Sequence, residues 1–174
     1  MITLPDMTAQ FPQRLWGSRS GPFARVANRV ASTRAGSRVV RALTPLDRAL
    51  LARTDARFSV LGPLGVPTIL LTTTGRKSGQ PRTQPLLAVH DGDVLYVLGS
   101  NFGQQHHPAW TGNLLAEPRA TVTIAGERIP VVATRVDEAE KQRVFPRFVA
   151  MTDAYDAYRE RTSRDLRMFA LRRA

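Results

Sequence analysis

The sequence predicts an α+β, mainly β domain: a compact antiparallel barrel with flanking helices, preceded by a basic helical N-terminal arm over residues 1–45. Three observations carry this. From Val66 onward, short β-branched or alternating segments recur at regular spacing, separated by glycine turns. Helical spacing appears on either side of them, and strands do not alternate with helices as a doubly wound sheet requires. The 174 residues suffice for one domain with a real core, here assigned to residues 46–174.

The elements follow in order. Between Gln13 and Arg57 stand ten arginines and two acids, Asp47 and Asp55. Val39, Leu43, Leu46 and Leu50 are spaced as one helical face, with Arg34, Arg38, Arg41 and Arg48 on a stripe of their own. Thr44-Pro45 predicts a break, with Thr44 capping a second helix that begins at Pro45. This arm either packs on the domain through its leucine face or lies on an anionic membrane. Val66–Thr74, Thr83–His90, Val94–Ser100, Ala120–Ala125, Arg128–Val136 and Leu166–Leu171 read as strands, with Asp91-Gly92 and Gly126 marking hairpins. Pro108–Ala116, Glu138–Met151 (interrupted near Pro146) and Asp153–Arg161 read as helices.

Composition narrows the function. The chain has no cysteine, which excludes disulfide scaffolds, thiolate metal sites and cysteine nucleophiles. No apolar run approaches the roughly 20 residues that span a bilayer, and the first residues do not form a secretory signal. The expected location is cytoplasmic, with a peripheral contact at the inner face of the cell membrane as the variant. Formal net charge is +11, and all but two of the 25 basic residues are arginine, Lys77 and Lys141 being the exceptions. Such a surplus calls for an anionic partner: nucleic acid, anionic lipid or a polyanionic small molecule. Nucleic acid is disfavoured because few aromatics interleave with the basic stripe.

Two segments carry the chemistry. In Thr72–Arg82 a strand runs into a turn framed by Gly75 and Gly79, with Arg76, Lys77 and Arg82 supplying charge and Ser78 a hydroxyl. Glycines there predict backbone N–H groups turned outward together as an anion cradle. The spacing is not that of a Walker loop. The second segment, Gly99–Leu114, joins a strand end to a helix start, where N–H groups also suit an anion. Its adjacent His106 and His107 lack the carboxylates and spacing of a metal site, and Trp110 reads as a packing or stacking residue.

The run LTTTGRKSGQPR, the Ser-Asn-x-Gly turn, then HPAW and NLLAEP, resemble the deazaflavin-dependent nitroreductase family, over about Leu46 to Leu171. The resemblance implies a split β-barrel of the FMN-binding type and reduced coenzyme F420, which carries a phosphate and an oligoglutamate tail, with FMN as the alternative cofactor. It implies hydride transfer to a small apolar acceptor such as a quinone or nitroaromatic, and a homodimer as a common assembly. By motif, Arg76, Lys77, Ser78, Gly79 and Arg82 would hold the phosphate and tail. Thr74, Pro85, Leu86, Leu87, Ser100, Asn101, Gly103, Trp110 and Asn113 would lie against the cofactor. Tyr155 and Tyr158, ahead of Thr162 and Arg164, match the tyrosines that close the family's acceptor pocket and are the catalytic candidates. Asn101 stands where some members have lysine, Phe102 where many have glycine, and Arg167-Met168 replaces a more apolar segment. The rival without catalysis is a basic module binding anionic membrane or nucleic acid.

Overall fold

A computed structural model describes residues 10–12, 33–54, 67–152 and 154–174. Its centre is a closed six-strand antiparallel barrel: β1 (Thr68–Thr74), β2 (Pro81–Asp91), β3 (Val94–Leu98), β4 (Arg119–Ile124), β5 (Glu127–Arg135) and β6 (Met168–Arg173). The strands run in the order β1-β2-β3-β6-β5-β4, and β4 closes back on β1 through the register Leu70↔Thr123 to Thr73↔Ala120. The sequence boundaries hold to within a few residues, because the hairpins are set by local turn chemistry. Asp91 pairs with Val94 across Gly92, whose φ is +61°. Ile124 pairs with Glu127 across Ala125 and Gly126, both at positive φ as a type I′ turn requires.

Alternation along the strands builds two cores. Leu71, Leu95, Val97, Val122, Ile129, Val131, Phe169 and Leu171 fill the barrel interior, as side chains must in so small a barrel. The opposite faces of β3 and β6, with Val94, Tyr96, Leu98, Met168 and Ala170, pack under two helices, α3 (Glu138–Val149) and α4 (Ala154–Glu160). Thus β3 is buried along its whole length. Asp137 caps α3 by accepting from Glu140 N at 2.8 Å, and Pro146 sits inside that helix without ending it. A short α2 (Ala109–Ala116) leans on β1.

Three expectations change. The helix α1 (Arg34–Arg53) runs unbroken through Pro45, so it crosses the 45/46 boundary. Thr44 turns its hydroxyl back to Val40 O (2.9 Å) instead of capping a new helix. Pro45 is exposed, so the missing N–H falls where water can serve the carbonyl it would have met. The face α1 lays on β2 is also not the leucine face: Val39 and Leu46 are 58% and 59% exposed, whereas Gly36, Asp47 and Leu51 are buried. Finally, within the nominal arm, Phe11 is buried in the barrel core, held by Arg173, which stacks on its ring at 5.4 Å and donates to Gln10 O at 3.2 Å. Residues 13–32, which hold most of the arm's remaining charge, lie outside the described residues. No helix among the described residues is long and apolar enough to cross a membrane.

Leu71 is 0% exposed at the barrel centre. Truncation to Leu71→Ala should cost about 2–5 kcal/mol, read from urea unfolding midpoints; a loss well under 1 kcal/mol would contradict the packed interior.

Candidate functional site

Two hollows open along β2. The first, about 220 Å³, is mainly apolar and lies between α1, β2, the Ser100–Phe102 turn and α4. Pro85, Leu86, Leu87, Ser100, Asn101, Trp110, Tyr155 and Tyr158 line it, all anticipated from sequence. The second, about 830 Å³, is a cleft lined by Arg76, Lys77, Ser78 and Arg82, with Trp110 and Asn113 at its wall. Thr74, Gly79 and Gly103 line neither. Gly79 instead gives the turn its φ of +66°, and Gly103 is buried so tightly that a Cβ would meet the Tyr158 carbonyl at 3.1 Å.

The β1–β2 turn is fixed from below. Asn113, 5% exposed on α2, accepts from Arg76 N at 3.2 Å and donates to Thr73 Oγ1 at 3.0 Å. Within the turn Gly75 N donates to Gln80 O, Ser78 N and Gly79 N donate to Gly75 O, and Gln80 N donates to Ser78 Oγ. The outward cradle of N–H groups is therefore not formed: only Lys77 N lacks a partner among the described residues. Anion attraction rests instead on side chains. Arg76, Lys77 and Arg82 have no ion pair with a described acid, whereas Arg135, Lys141, Arg143, Arg147, Arg159 and Arg173 each have at least one. Arg76 lies across α2 at Gly112, where an added Cβ would fall 1.8 Å from its Nη1.

The apolar hollow is walled by aromatic edges. Tyr155 stands edge-on to Phe148 (5.2 Å) and Tyr158 (6.1 Å), and Tyr158 edge-on to Phe102 (5.9 Å). Burial, and after it Tyr158, pushes the Tyr155 phenol far above the ordinary tyrosine range, so it remains a neutral hydroxyl. The Thr162-x-Arg164 element does not face the hollow; it staples its rim. Arg164 donates to Ser100 O (2.6 Å) and Gln104 O (2.8 Å), and meets His107 Nδ1 at 3.2 Å. Burial, then the Arg167 and Arg164 charges, lower the His107 pKa, which favours the neutral ring that accepts from Arg164. His106 is exposed, and its carbonyl accepts from Asn101 Nδ2 at 3.0 Å.

Sequence reasoning missed one residue that matters. Gln84 and Trp110 line both hollows and so mark their junction. Among the described residues Gln84 Nε2 is buried and has no hydrogen-bond partner, and a desolvated donor gains from any acceptor that reaches it.

Residues 46–172 match the family model for F420H(2)-dependent quinone reductase. The chain belongs to this family. The F420H(2)-dependent quinone reductase Rv1261c of Mycobacterium tuberculosis is 33% identical over 135 residues, spanning 75% of this chain and 90% of its own. Among solved structures, an F420-H2 dependent reductase (FDR-A) matches with a TM-score of 0.56 and 29% identity, over 60% of this chain and 93% of its own. A chain described as a domain-swapped dimer matches with a TM-score of 0.58 and 27% identity, over 78% of this chain and 98% of its own. The protein is thus an F420H2-dependent oxidoreductase on a split β-barrel, with reduced coenzyme F420 as its cofactor. The residues present fit that group: an apolar hollow and a cationic cleft share Gln84, whose Nε2 has no partner among the described residues.

Gly112→Ala tests the cleft. The obstacle to its methyl is the end of a flexible side chain, so the melting temperature should hold, or rise with helix propensity. Displacing Arg76 should weaken F420 binding severalfold in a fluorescence titration; an unchanged dissociation constant would remove Arg76 from the contact.

Proposed function

We propose that the protein reduces a quinone, holding the ring end of the cofactor in the apolar hollow and its anionic tail along the Arg76–Arg82 cleft. The observation that carries this reading is the junction: two hollows of opposite character meet at Gln84 and Trp110, matching a molecule with a flat apolar head and a charged tail.

When bound, reduced F420 supplies a hydride, two electrons at once. The protein's share is orientation and exclusion of water. Arg76, Lys77 and Arg82 attract phosphate and carboxylates through charge-assisted hydrogen bonds, and Ser78 adds a hydroxyl beside them. Gln84 Nε2 donates to an acceptor oxygen where head passes into tail. Pro85, Leu86, Leu87 and Trp110 present apolar surface to the ring, and Ser100 and Asn101 edge it. Tyr155 and Tyr158 line the apolar hollow and not the cleft, and an acceptor would sit beside them. Tyr155, held neutral by burial, suits a hydrogen bond to a quinone carbonyl; so high a pKa makes it a poor source of the proton itself.

The direct test is titration with F420, followed by anaerobic mixing of the reduced form with a panel of quinones. Absence of both binding and quinone reduction would end the reading. Arg76→Ala or Lys77→Ala should each weaken F420 binding by about 1.5–3 kcal/mol, and dissociation constants equal to the parent's would overturn the tail assignment. Gln84→Leu should separate stability from function. Removing an unsatisfied buried donor relieves a penalty of about 1–3 kcal/mol, so the free protein should melt no lower while F420 affinity falls. A variant that loses stability and keeps affinity would make Gln84 a structural residue.

A further inference from the structure

We infer that Phe102 is a specificity-determining residue that sets the bulk of acceptor admitted to the apolar hollow. This rests on the quinone reading above. The backbone around it is unusual: Asn101, Phe102 and Gly103 form a turn with φ of 46°, 56° and 74° in succession. The left-handed region favours glycine, and for a bulky aromatic residue it is an outlier. A glycine would hold this turn without strain, so the backbone itself does not call for phenylalanine. The benefit of Phe102 therefore lies in its ring.

The ring has a defined position. It lines the hollow beside Ser100, Asn101 and Tyr158, and stands edge-on to Tyr158 at 5.9 Å and 73°. The turn cannot easily relax to move it. Arg164 grips Ser100 O and Gln104 O on either side, Asn101 Nδ2 donates to His106 O, and Gln105 Nε2 donates to Arg161 O. Surroundings that over-determine a strained residue are what allow it to persist. The ring also stands at the tyrosine end of the hollow, whereas the charged tail enters at Gln84 and Trp110. Its contact with Tyr158 therefore puts it at the border of the acceptor space, next to the ring-edging Ser100 and Asn101. A rigid aromatic lid there leaves room for a compact planar quinone and obstructs one with a bulky ring substituent.

The test uses the full chain with three variants, Phe102→Gly, Phe102→Ala and Phe102→Leu. Two naphthoquinones serve as probes, menadione and an analogue bearing an isoprenoid chain. Binding is read as quenching of tryptophan fluorescence, since Trp110 lines the hollow, so no turnover is needed. The parent should favour menadione, and Phe102→Gly should shift the preference toward the chain-bearing quinone by about tenfold, the scale on which an apolar pocket discriminates small differences in bulk. Phe102→Leu should shift it less. Thermal melting provides the second readout: glycine should be at least as stable as alanine at this position, the reverse of the usual order, because only glycine relieves the strain. An unchanged preference, alanine clearly more stable than glycine, or failure of both quinones to bind a parent that binds F420 would each overturn the inference. Loss of F420 binding with the quinone preference intact would instead sink only the cofactor reading.

Discussion

Asn113 joins the tip of the β1–β2 hairpin to α2 through a buried amide. Its buried amide accepts from the Arg76 backbone and donates to Thr73 Oγ1, which in turn donates to Arg82 O at 3.4 Å. A long β-hairpin tip carrying three cations would otherwise be free to swing toward solvent, where like charges relax apart. Fastened to α2, the tip lines the cleft with its cations, and the cleft shares Gln84 and Trp110 with the apolar hollow. The fastening is strong because it is dry: an amide left without these partners would carry the full cost of desolvation. Beneath it, the closed barrel supplies a frame with no open sheet edge to fray.

Charge is distributed accordingly. Away from the cleft, several basic side chains are matched to acids, as where Asp91 meets Arg143 and Arg147, or where Asp165 meets Arg135 and Lys141. Arg76, Lys77 and Arg82 stand exposed beside Ser78 without such a match among the described residues. Exposed cations cost little while water solvates them, so the folded chain tolerates the imbalance, and the attraction remains available to a polyanion. The apolar hollow follows the opposite logic, with one buried donor among the described residues, Gln84 Nε2, left without a partner at the junction.

Much of this was legible in the sequence wherever a local rule decides the outcome. Glycine turns at Gly92 and Gly126 and alternation in Glu127–Arg135 kept their meaning in the folded chain, and the charged run beside Gly75 lines a cleft. Less was legible where tertiary context decides. The buried stripe of α1 includes Gly36 and Asp47 and borders the hollow with Thr44, so a search for apolar periodicity selects the wrong face. Pro45 is a helix breaker by local rule, yet the helix continues because the proline points outward. Glycines at the hairpin tip signal conformational freedom, not the direction of the N–H groups, and those groups turned inward. Gln84 sits beside the recognised Pro85–Leu87 and carries no pattern of its own. Its importance is a property of burial, which one sequence does not display. Phe11, isolated in a segment without periodicity, gave no sign that it fills the barrel.

The placement of α1 has a thermodynamic consequence. The helix lies outside the barrel, rests on β2, and contributes Val40, Thr44 and Asp47 to one hollow and Ala49 to the other. A molecule that touches both the barrel and this outer wall binds the docked arrangement better than the undocked one, and mass action then favours docking in proportion to its concentration. The coupling is reciprocal, so anything that loosens the helix must weaken retention of the bound molecule by the same free energy. A coenzyme held in these hollows would fasten the very wall that encloses it, and slower amide hydrogen exchange along Arg34–Arg53 in the loaded protein would be its physical trace.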